Sequence, residues 1–262
     1  MTVPSYAESE ASRSGRSPHI SIFPDAGAVA RALARRVAEA LRQTPGVVLG
    51  LPTGRTPLAL YDELAALHAR GEADFAQAHT FNLDEFLGIP PTHPGSYRMF
   101  MERHLFSRVN LEPSRIHFLN GAAQDPAAEC VRYEEAIAAA GGLDLQILGI
   151  GTNGHIGFNE PARSLSACSH RVALKPETRR SNAELFGGDA SAVPAEALSM
   201  GMGTILRARS LVLLATGAAK AACVRQALHG PVTTELPASF LQLHGDVDVM
   251  LDEEAGAELE KG

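Results

Sequence analysis

The chain has 262 residues, of which 45% are hydrophobic and 20% are charged, a composition that predicts a globular protein with a sizeable core. Its net charge of −7 at pH 7 argues against a nucleic-acid-binding surface, which would need a basic patch. No apolar run approaches the roughly 20 residues of a membrane span, so no membrane partner is expected. An anionic small molecule stays compatible with an acidic chain, because local donors bind it.

The cysteines and the N-terminal residues indicate the cellular location of the protein. Cys130, Cys168 and Cys223 are odd in number and widely spaced, which predicts neither a disulfide framework nor a zinc site and favours a reducing cytoplasm. Residues 1–18 are rich in Ser, Arg and Pro and lack an apolar stretch. They are interpreted as a disordered leader, not a secretory signal, followed by one domain over residues 19–262.

The ordered chain is predicted to begin with a strand over residues 20–23 and a helix capped by Asp25. The apolar positions of that helix recur every four residues, which predicts packing against a sheet. They are Val29, Leu33, Val37 and Leu41.

A buried strand over residues 47–51 is followed by a turn and then by a helix from Leu58, with Pro57 suited to the first helical turn. The turn has the sequence Thr53-Gly54-Arg55-Thr56. Free backbone N–H groups and the positive end of the helix dipole predict an anion site there. The spacing is not that of a nucleotide P-loop, and an ordinary strand-to-helix turn is the alternative.

The next strand, over residues 80–83, ends in two carboxylates, Asp84 and Glu85. Successive side chains of an extended strand point to opposite sides, so at most one carboxylate is expected to face a crevice. Asp84 is the candidate general base, and a solvated acidic pair is the alternative. Beyond it, helices are predicted over residues 97–109 and 127–140, with a strand over residues 115–119 between them.

A glycine-rich stretch over residues 149–161 follows a buried strand at residues 143–148. It contains Asn153, His155, Asn159 and Glu160, groups able to transfer or orient protons. Polar side chains at the carboxyl end of a strand are where an open α/β sheet places its chemistry. The alternative is a glycine-rich turn with a surface histidine.

The rest of the chain completes the sheet. Residues 162–191 are polar and rich in small residues, which predicts an excursion that serves as a lid. A buried strand over residues 211–215 leads to a helix with Lys220 in its first turn, a position that a nearby anion would explain. Residues 247–252 are predicted to form a last strand at the sheet edge. Alternating strands and helices predict a single-domain, three-layer αβα sandwich with a mostly parallel, Rossmann-like sheet.

Six segments of the sequence, in consistent order across residues 19–255, resemble the glucosamine-6-phosphate deaminases of the sugar-phosphate isomerase/deaminase superfamily. They are residues 50–57, residues 81–86 with 93–97, residues 154–161, Thr178-Arg179, residues 217–220 and residues 241–244. The resemblance implies isomerisation and deamination of glucosamine 6-phosphate to fructose 6-phosphate and ammonia. It implies a sugar phosphate as the small-molecule partner, and the implied reaction requires no metal or organic cofactor.

The same resemblance assigns roles to individual residues. Asp84 stands at the position of the base that moves a proton between C2 and C1 of the opened sugar. His155 stands at the position of the group that shuttles a proton during ring opening, supported by Glu160 and by Asn153, where other members carry Asp or Asn. The phosphate-binding positions are Thr53, Gly54, Arg55, Thr56, Arg179 and Lys220. Arg55 is larger than expected there, and either adds a phosphate donor or points to solvent.

Other functions remain open at this point. The same scaffold carries 6-phosphogluconolactonases, but the segments after His155 and after Asp84 favour the deaminase pattern. The sequence barely distinguishes a deaminase for galactosamine 6-phosphate from one for glucosamine 6-phosphate. A non-catalytic sugar-phosphate sensor is a further alternative, but it would need a DNA-binding module. Association into a homo-oligomer is open. The positions around Arg163, His170 and Val172 lack the basic pattern associated with allosteric activation, which predicts hyperbolic kinetics.

Overall fold

The structure is a computed structural model that describes residues 17–259. The predicted leader, up to residue 16, lies outside the described residues. The strands are β1 His19–Phe23, β2 Val48–Leu51, β3 His79–Asn82, β4 Asp84–Phe86, β5 Ile116–His117, β6 Leu145–Gly149, β7 His170–Ala173, β8 Glu196–Ser199, β9 Ser210–Ala215 and β10 Val247–Asp252. The α-helices are α1 Ala26–Gln43, α2 Leu58–Ala69, α3 Tyr97–His104, α4 Pro126–Ala139, α5 Pro176–Ser181, α6 Met202–Leu206, α7 Ala221–His229 and α8 Glu253–Gly256.

The main sheet has seven parallel strands in the order β1-β10-β9-β6-β2-β3-β5. The prediction that residues 247–252 form an edge strand is wrong, because β10 lies between β1 and β9. Its inner residues are buried, as an internal parallel strand requires. The edges are β1 and β5, and β5 has only two residues where a strand over residues 115–119 was predicted.

Helices cover both faces of this sheet. On one face α1, α2 and α3 bury a cluster that includes Leu33, Leu64 and Met101, and the predicted stripe of α1 faces this core. On the other face α4, α6 and α7 bury Tyr133, Ile205 and Val224. Asp25 caps α1 as predicted, since its side chain accepts a hydrogen bond from the Ala28 N–H at 2.7 Å. The predicted three-layer α/β architecture is confirmed.

A second, three-stranded antiparallel sheet was not predicted. Its order is β4-β8-β7, and its register pairs Asp84 with Ser199 and also pairs Ser199 with His170. The polar excursion after residue 161 therefore contributes β7 and α5 to this smaller layer, which packs on an aromatic cluster around Phe86 and Phe158. This sheet lies beyond the carboxyl ends of the main strands and brings Asp84 into the interior.

Two predicted helices differ from the structure at their ends. The segment predicted as one helix over residues 97–109 divides into α3 and a 3-10 turn over Phe106–Arg108. Lys220 ends a 3-10 turn and directly precedes α7, where a position in the first helical turn was predicted. None of the helices between residues 17 and 259 is long and apolar enough to cross a bilayer.

Candidate active site

Asp84 occupies the junction between the two sheets. It follows β3 after one residue, begins β4, and is 5% exposed. Burial, followed by the neighbouring charge of Glu85, raises the pKa of Asp84 from 3.8 to about 8. A carboxyl group with a pKa in this range can accept and return a proton near neutral pH, as a general base must.

Glu85 is also buried, but its partners are backbone N–H groups. Its carboxylate accepts backbone N–H groups from Phe86 at 2.8 Å, Tyr97 at 2.9 Å and Arg98 at 2.9 Å. Two of these donors open α3, so Glu85 fixes the helix N-terminus. Burial raises its pKa to about 7, while the three N–H groups oppose that rise. Glu85 is thus engaged by the start of α3, whereas Asp84 borders the His155 loop, and the alternative of a solvated acidic pair is wrong because both carboxyl groups are buried.

The glycine-rich loop after β6 passes directly beside Asp84. A Cβ atom at Gly157, where φ is +58°, would lie 3.3 Å from Asp84 Oδ2 and 3.2 Å from Ser199 Oγ. The Asn159 side chain holds the loop by donating to the carbonyl groups of Ile156 at 2.9 Å and Met200 at 2.8 Å. The loop glycines therefore allow the backbone to approach the base closely.

His155 stands on the same loop and is held by Asn153 and Glu160. Asn153 Oδ1 lies 2.7 Å from His155 Nδ1, and Asn153 Nδ2 donates to Glu160 Oε2 at 2.8 Å. The ring packs on Gly151, where a Cβ atom would lie 2.2 Å from His155 Nδ1. The three predicted catalytic residues of this loop therefore form one hydrogen-bonded group.

The hydrogen bonds of this group fix which ring nitrogen carries the proton. The Glu160 carboxylate only accepts, so the Asn153 amide must turn its NH2 group toward Glu160 and its oxygen toward His155. His155 Nδ1 then donates, and Nε2 is left with a lone pair. Burial lowers the pKa of His155, the Glu160 carboxylate raises it, and the ammonium groups of Lys220 and Lys175 lower it. A neutral ring with a free Nε2 can accept a proton.

The segment predicted as a lid, residues 162–191, contacts Glu160 from the other side. On α5, Thr178 is buried and its hydroxyl donates to Glu160 Oε1 at 2.5 Å. Lys175, just before α5, places its Nζ 3.9 Å from Glu160 Oε2. The sequence pattern around Thr178 and Arg179 predicts no role for Thr178, because its partner Glu160 is reached only through the fold.

Tyr97 was also missed as a site residue. Its hydroxyl donates to Asn182 Oδ1 at 2.9 Å, which joins α3 to the residue that follows α5. Burial and then the Asp84 charge raise the pKa of Tyr97, whereas hydrogen bonding by Thr53 and Asn182 lowers it. Tyr97 therefore lies where the base, the predicted anion turn and the lid meet.

The predicted anion turn lies between β2 and α2. Gly54 has φ +104°, a conformation that favours glycine, and Pro57 precedes the first residue of α2 without a side-chain cap. Thr53, Gly54 and Thr56 are partly exposed. The Arg55 side chain points away into solvent, where it forms an ion pair with Glu184 at 2.7 Å.

The two predicted cationic phosphate ligands are partly buried and come from different segments. Lys220 Nζ donates to the Ile150 carbonyl at 2.7 Å, beside the His155 loop, and burial lowers its pKa. Arg179, on α5, donates to the carbonyl groups of Val193 and Ser191, each at 3.0 Å. These two bonds use two of the five guanidinium N–H groups, which leaves others to face an anion.

No cluster of three or more His, Cys, Asp or Glu side chains among residues 17–259 is arranged to hold a metal ion.

Comparison with known proteins matches residues 25–250 to a family described as glucosamine-6-phosphate isomerases/6-phosphogluconolactonase. The chain belongs to this family. Glucosamine-6-phosphate deaminase 2 of Giardia intestinalis is 49% identical over 227 residues, 87% of this chain and 86% of its own. Glucosamine-6-phosphate deaminase of Beutenbergia cavernae is 46% identical over 241 residues, 92% of each chain.

A solved structure described as a monomeric glucosamine-6-phosphate deaminase superposes with a TM-score of 0.88 at 40% identity. The alignment covers 92% of this chain and 99% of that structure. The resemblance inferred from the six sequence segments is confirmed by these matches.

Proposed function

We propose that this enzyme converts glucosamine 6-phosphate and water into fructose 6-phosphate and ammonia. The observation that carries the proposal is the buried Asp84 carboxyl group beside the His155 loop, with a pKa of about 8. Relatives at 46–49% identity that bear the name of this activity support the same conclusion.

The proposed reaction begins with ring opening. The Nε2 lone pair of neutral His155 accepts the C1 hydroxyl proton, and the ring oxygen regains a proton as the C1–O5 bond breaks. Asn153 and Glu160 hold the ring of His155 in the tautomer that this step needs. The product is an open-chain aldehyde with its amino group at C2.

Asp84 carries out the isomerisation. Its carboxylate removes the C2 proton, which is acidic because it lies next to the C1 carbonyl, and the C1 oxygen takes up a proton from solvent to give an enol. Asp84 then returns its proton to C1, and the C2 amino group loses one proton to solvent as its nitrogen forms the double bond to C2. The resulting imine at C2 takes up water and releases ammonia, leaving the ketone. Burial makes Asp84 a stronger base than an exposed aspartate, because its charged form is poorly solvated.

The phosphate is proposed to bind at the turn of residues 53–56, with Arg179 and Lys220 as cationic ligands. The turn offers free N–H groups and a helix N-terminus, and the two side chains are partly buried. Binding at this end fixes the register of the sugar against Asp84 and His155. The three cysteines are free, in keeping with the proposed cytoplasmic location.

The decisive experiment measures ammonia and fructose 6-phosphate formed from glucosamine 6-phosphate by the purified protein. A parallel assay follows hydrolysis of 6-phosphogluconolactone, since the matched family includes lactonases, and a third arm offers galactosamine 6-phosphate. We expect ammonia and fructose 6-phosphate in equal amounts from the first substrate and no enzymatic lactone hydrolysis. Lactone hydrolysis without ammonia release would reject the deaminase.

A further inference from the structure

The lid helix α5 contacts the catalytic loop through one buried hydroxyl group. Thr178 donates its hydroxyl proton to Glu160 Oε1 at 2.5 Å, and both residues are buried. The other carboxylate oxygen of Glu160 accepts from Asn153 Nδ2, and Asn153 Oδ1 in turn accepts from His155 Nδ1. A continuous chain of hydrogen bonds therefore runs from the lid to the ring-opening histidine.

The direction of each bond in this chain is determined by chemistry. The Thr178 hydroxyl donates to Glu160 because a carboxylate can only accept. This hydrogen bond occupies Oε1 of Glu160. His155 Nδ1 is 3.9 Å from Oε1, too far for a direct hydrogen bond, so Asn153 mediates the contact. Loss of the Thr178 bond would free the carboxylate to rotate and to release the Asn153 amide, and the tautomer of His155 would no longer be fixed.

The same helix presents the proposed phosphate ligand at the next position. Arg179 anchors α5 by donating to the carbonyl groups of Val193 and Ser191. Thr178 and Arg179 are adjacent on α5, so this short helix carries both the contact to Glu160 and a proposed phosphate ligand. A shift of α5 when phosphate binds Arg179 would be transmitted to the Thr178 hydroxyl.

We propose that Thr178 is a positioning residue that couples lid closure over the phosphate to the orientation of His155, through Glu160 and Asn153. This inference rests on the proposed deaminase function. Thr178 itself does not touch the reacting atoms. Its contribution is to make ring opening efficient only when the lid is seated.

The kinetic test compares three variants of the full chain. Thr178→Val has the same shape but no donor, Thr178→Ser keeps the hydroxyl, and Glu177→Gln is the matched control on the exposed face of α5. We expect Thr178→Val to lower kcat about tenfold, the effect of losing a bond to a charged group, and the other two to stay within about twofold. Binding of the open-chain polyol phosphate, in which C1 is reduced and no ring forms, should be unchanged in all three. Unchanged kcat in Thr178→Val, or equal losses of kcat and of polyol binding, would overturn the proposal.

A spectroscopic test separates this proposal from the proposed function. Nitrogen NMR of the histidine rings, with His155 assigned through His155→Gln, reports the tautomer in the free enzyme. We expect the Nδ1–H tautomer in wild type and in Thr178→Ser, and a mixture of tautomers in Thr178→Val. If wild type formed no ammonia, the deaminase proposal would fail while this measurement still decided the role of Thr178. An unaltered tautomer in Thr178→Val would reject it.

Discussion

Adjacent residues Asp84 and Glu85 have different surroundings, which suit the two carboxyl groups to different roles. Glu85 faces three backbone N–H groups and stabilises the start of α3. Asp84 has burial as the main cause of its raised pKa, and its side chain borders the His155 loop. The carboxyl group that lacks fixed donors is the one left free to move a proton.

We predict that Asp84→Asn abolishes turnover, with kcat reduced at least about a thousandfold, because an amide cannot act as the base. Binding of the open-chain polyol phosphate should survive, since the phosphate ligands are untouched. The kcat/KM of wild type should rise with pH until about pH 8, where Asp84 loses its proton. Near-normal kcat in the variant would show that Asp84 is not the base.

The same substitution is predicted to stabilise the protein in alkaline solution. The folded pKa of Asp84 is raised above its ordinary value of 3.8, so its contribution to stability is present at low pH and is lost as pH rises through about 8. The free energy of unfolding of Asp84→Asn, relative to that of wild type, should therefore increase between pH 5 and pH 8.5. Each kcal/mol of that gain raises Tm by about 2–4 °C. Thermal unfolding of both proteins at the two pH values measures it, and an equal difference at both would contradict the prediction.

Site residues that follow a strand could be predicted from the sequence. Site residues that distant segments bring into contact could not. Asp84 and His155 are recognisable because each lies at or just beyond the carboxyl end of an apolar run. Thr178 and Ser199 reach the site through α5 and β8, and their neighbours in sequence are not their neighbours in space. No local pattern encodes such a contact.

The helix α5 carries two adjacent arginines with different surroundings. Arg179 is partly buried and anchored to two carbonyl groups, whereas Arg180 forms an exposed ion pair with Glu177 at 2.7 Å. The proposed phosphate site uses the first and not the second. Surface ion pairs of the second kind contribute little to stability.

We predict that Arg179→Met raises the KM for glucosamine 6-phosphate about 10- to 100-fold, because it removes a charge-assisted contact to phosphate. Arg180→Met, the matched control, should change KM less than about twofold. Steady-state rates of the two variants under one buffer condition provide the comparison. Equal KM values for the two variants would remove Arg179 from the phosphate site.

Among the secondary-structure elements, the buried apolar strands were predictable, whereas the strand order and the strands of the smaller sheet were not. The strands β2, β6 and β9 are buried on both faces and have mainly apolar sequences. Residues 247–252 are apolar apart from Asp248 and Asp252, and it is the pairing of β1 on their outer side that makes β10 internal. The sheet of β4, β7 and β8 has three or four residues per strand and depends on contacts between distant segments.

At the scale of the whole molecule, strand β7 is the place to look for a second site that binds a sugar phosphate. The Arg171 guanidinium is held by Glu196 through contacts of 2.8 and 2.6 Å. His170 donates from Nδ1 to the Cys168 carbonyl, and burial lowers its pKa, so it is neutral near pH 7. Val172 completes this strand with an apolar side chain that packs on the aromatic cluster. Strand β7 therefore offers no uncompensated cation to a second phosphate group.

We predict hyperbolic kinetics that an N-acetylated sugar phosphate does not activate. An allosteric effector must bind one state more tightly than another at a site of its own, and β7 lacks the charge that such a phosphate would need. Initial rates against glucosamine 6-phosphate, with and without N-acetylglucosamine 6-phosphate, should both fit a Hill coefficient of about 1. Competition at the active site would raise the apparent KM and leave the curve hyperbolic. A sigmoidal curve that the N-acetylated compound converts to a hyperbola would establish a second site and reject the prediction.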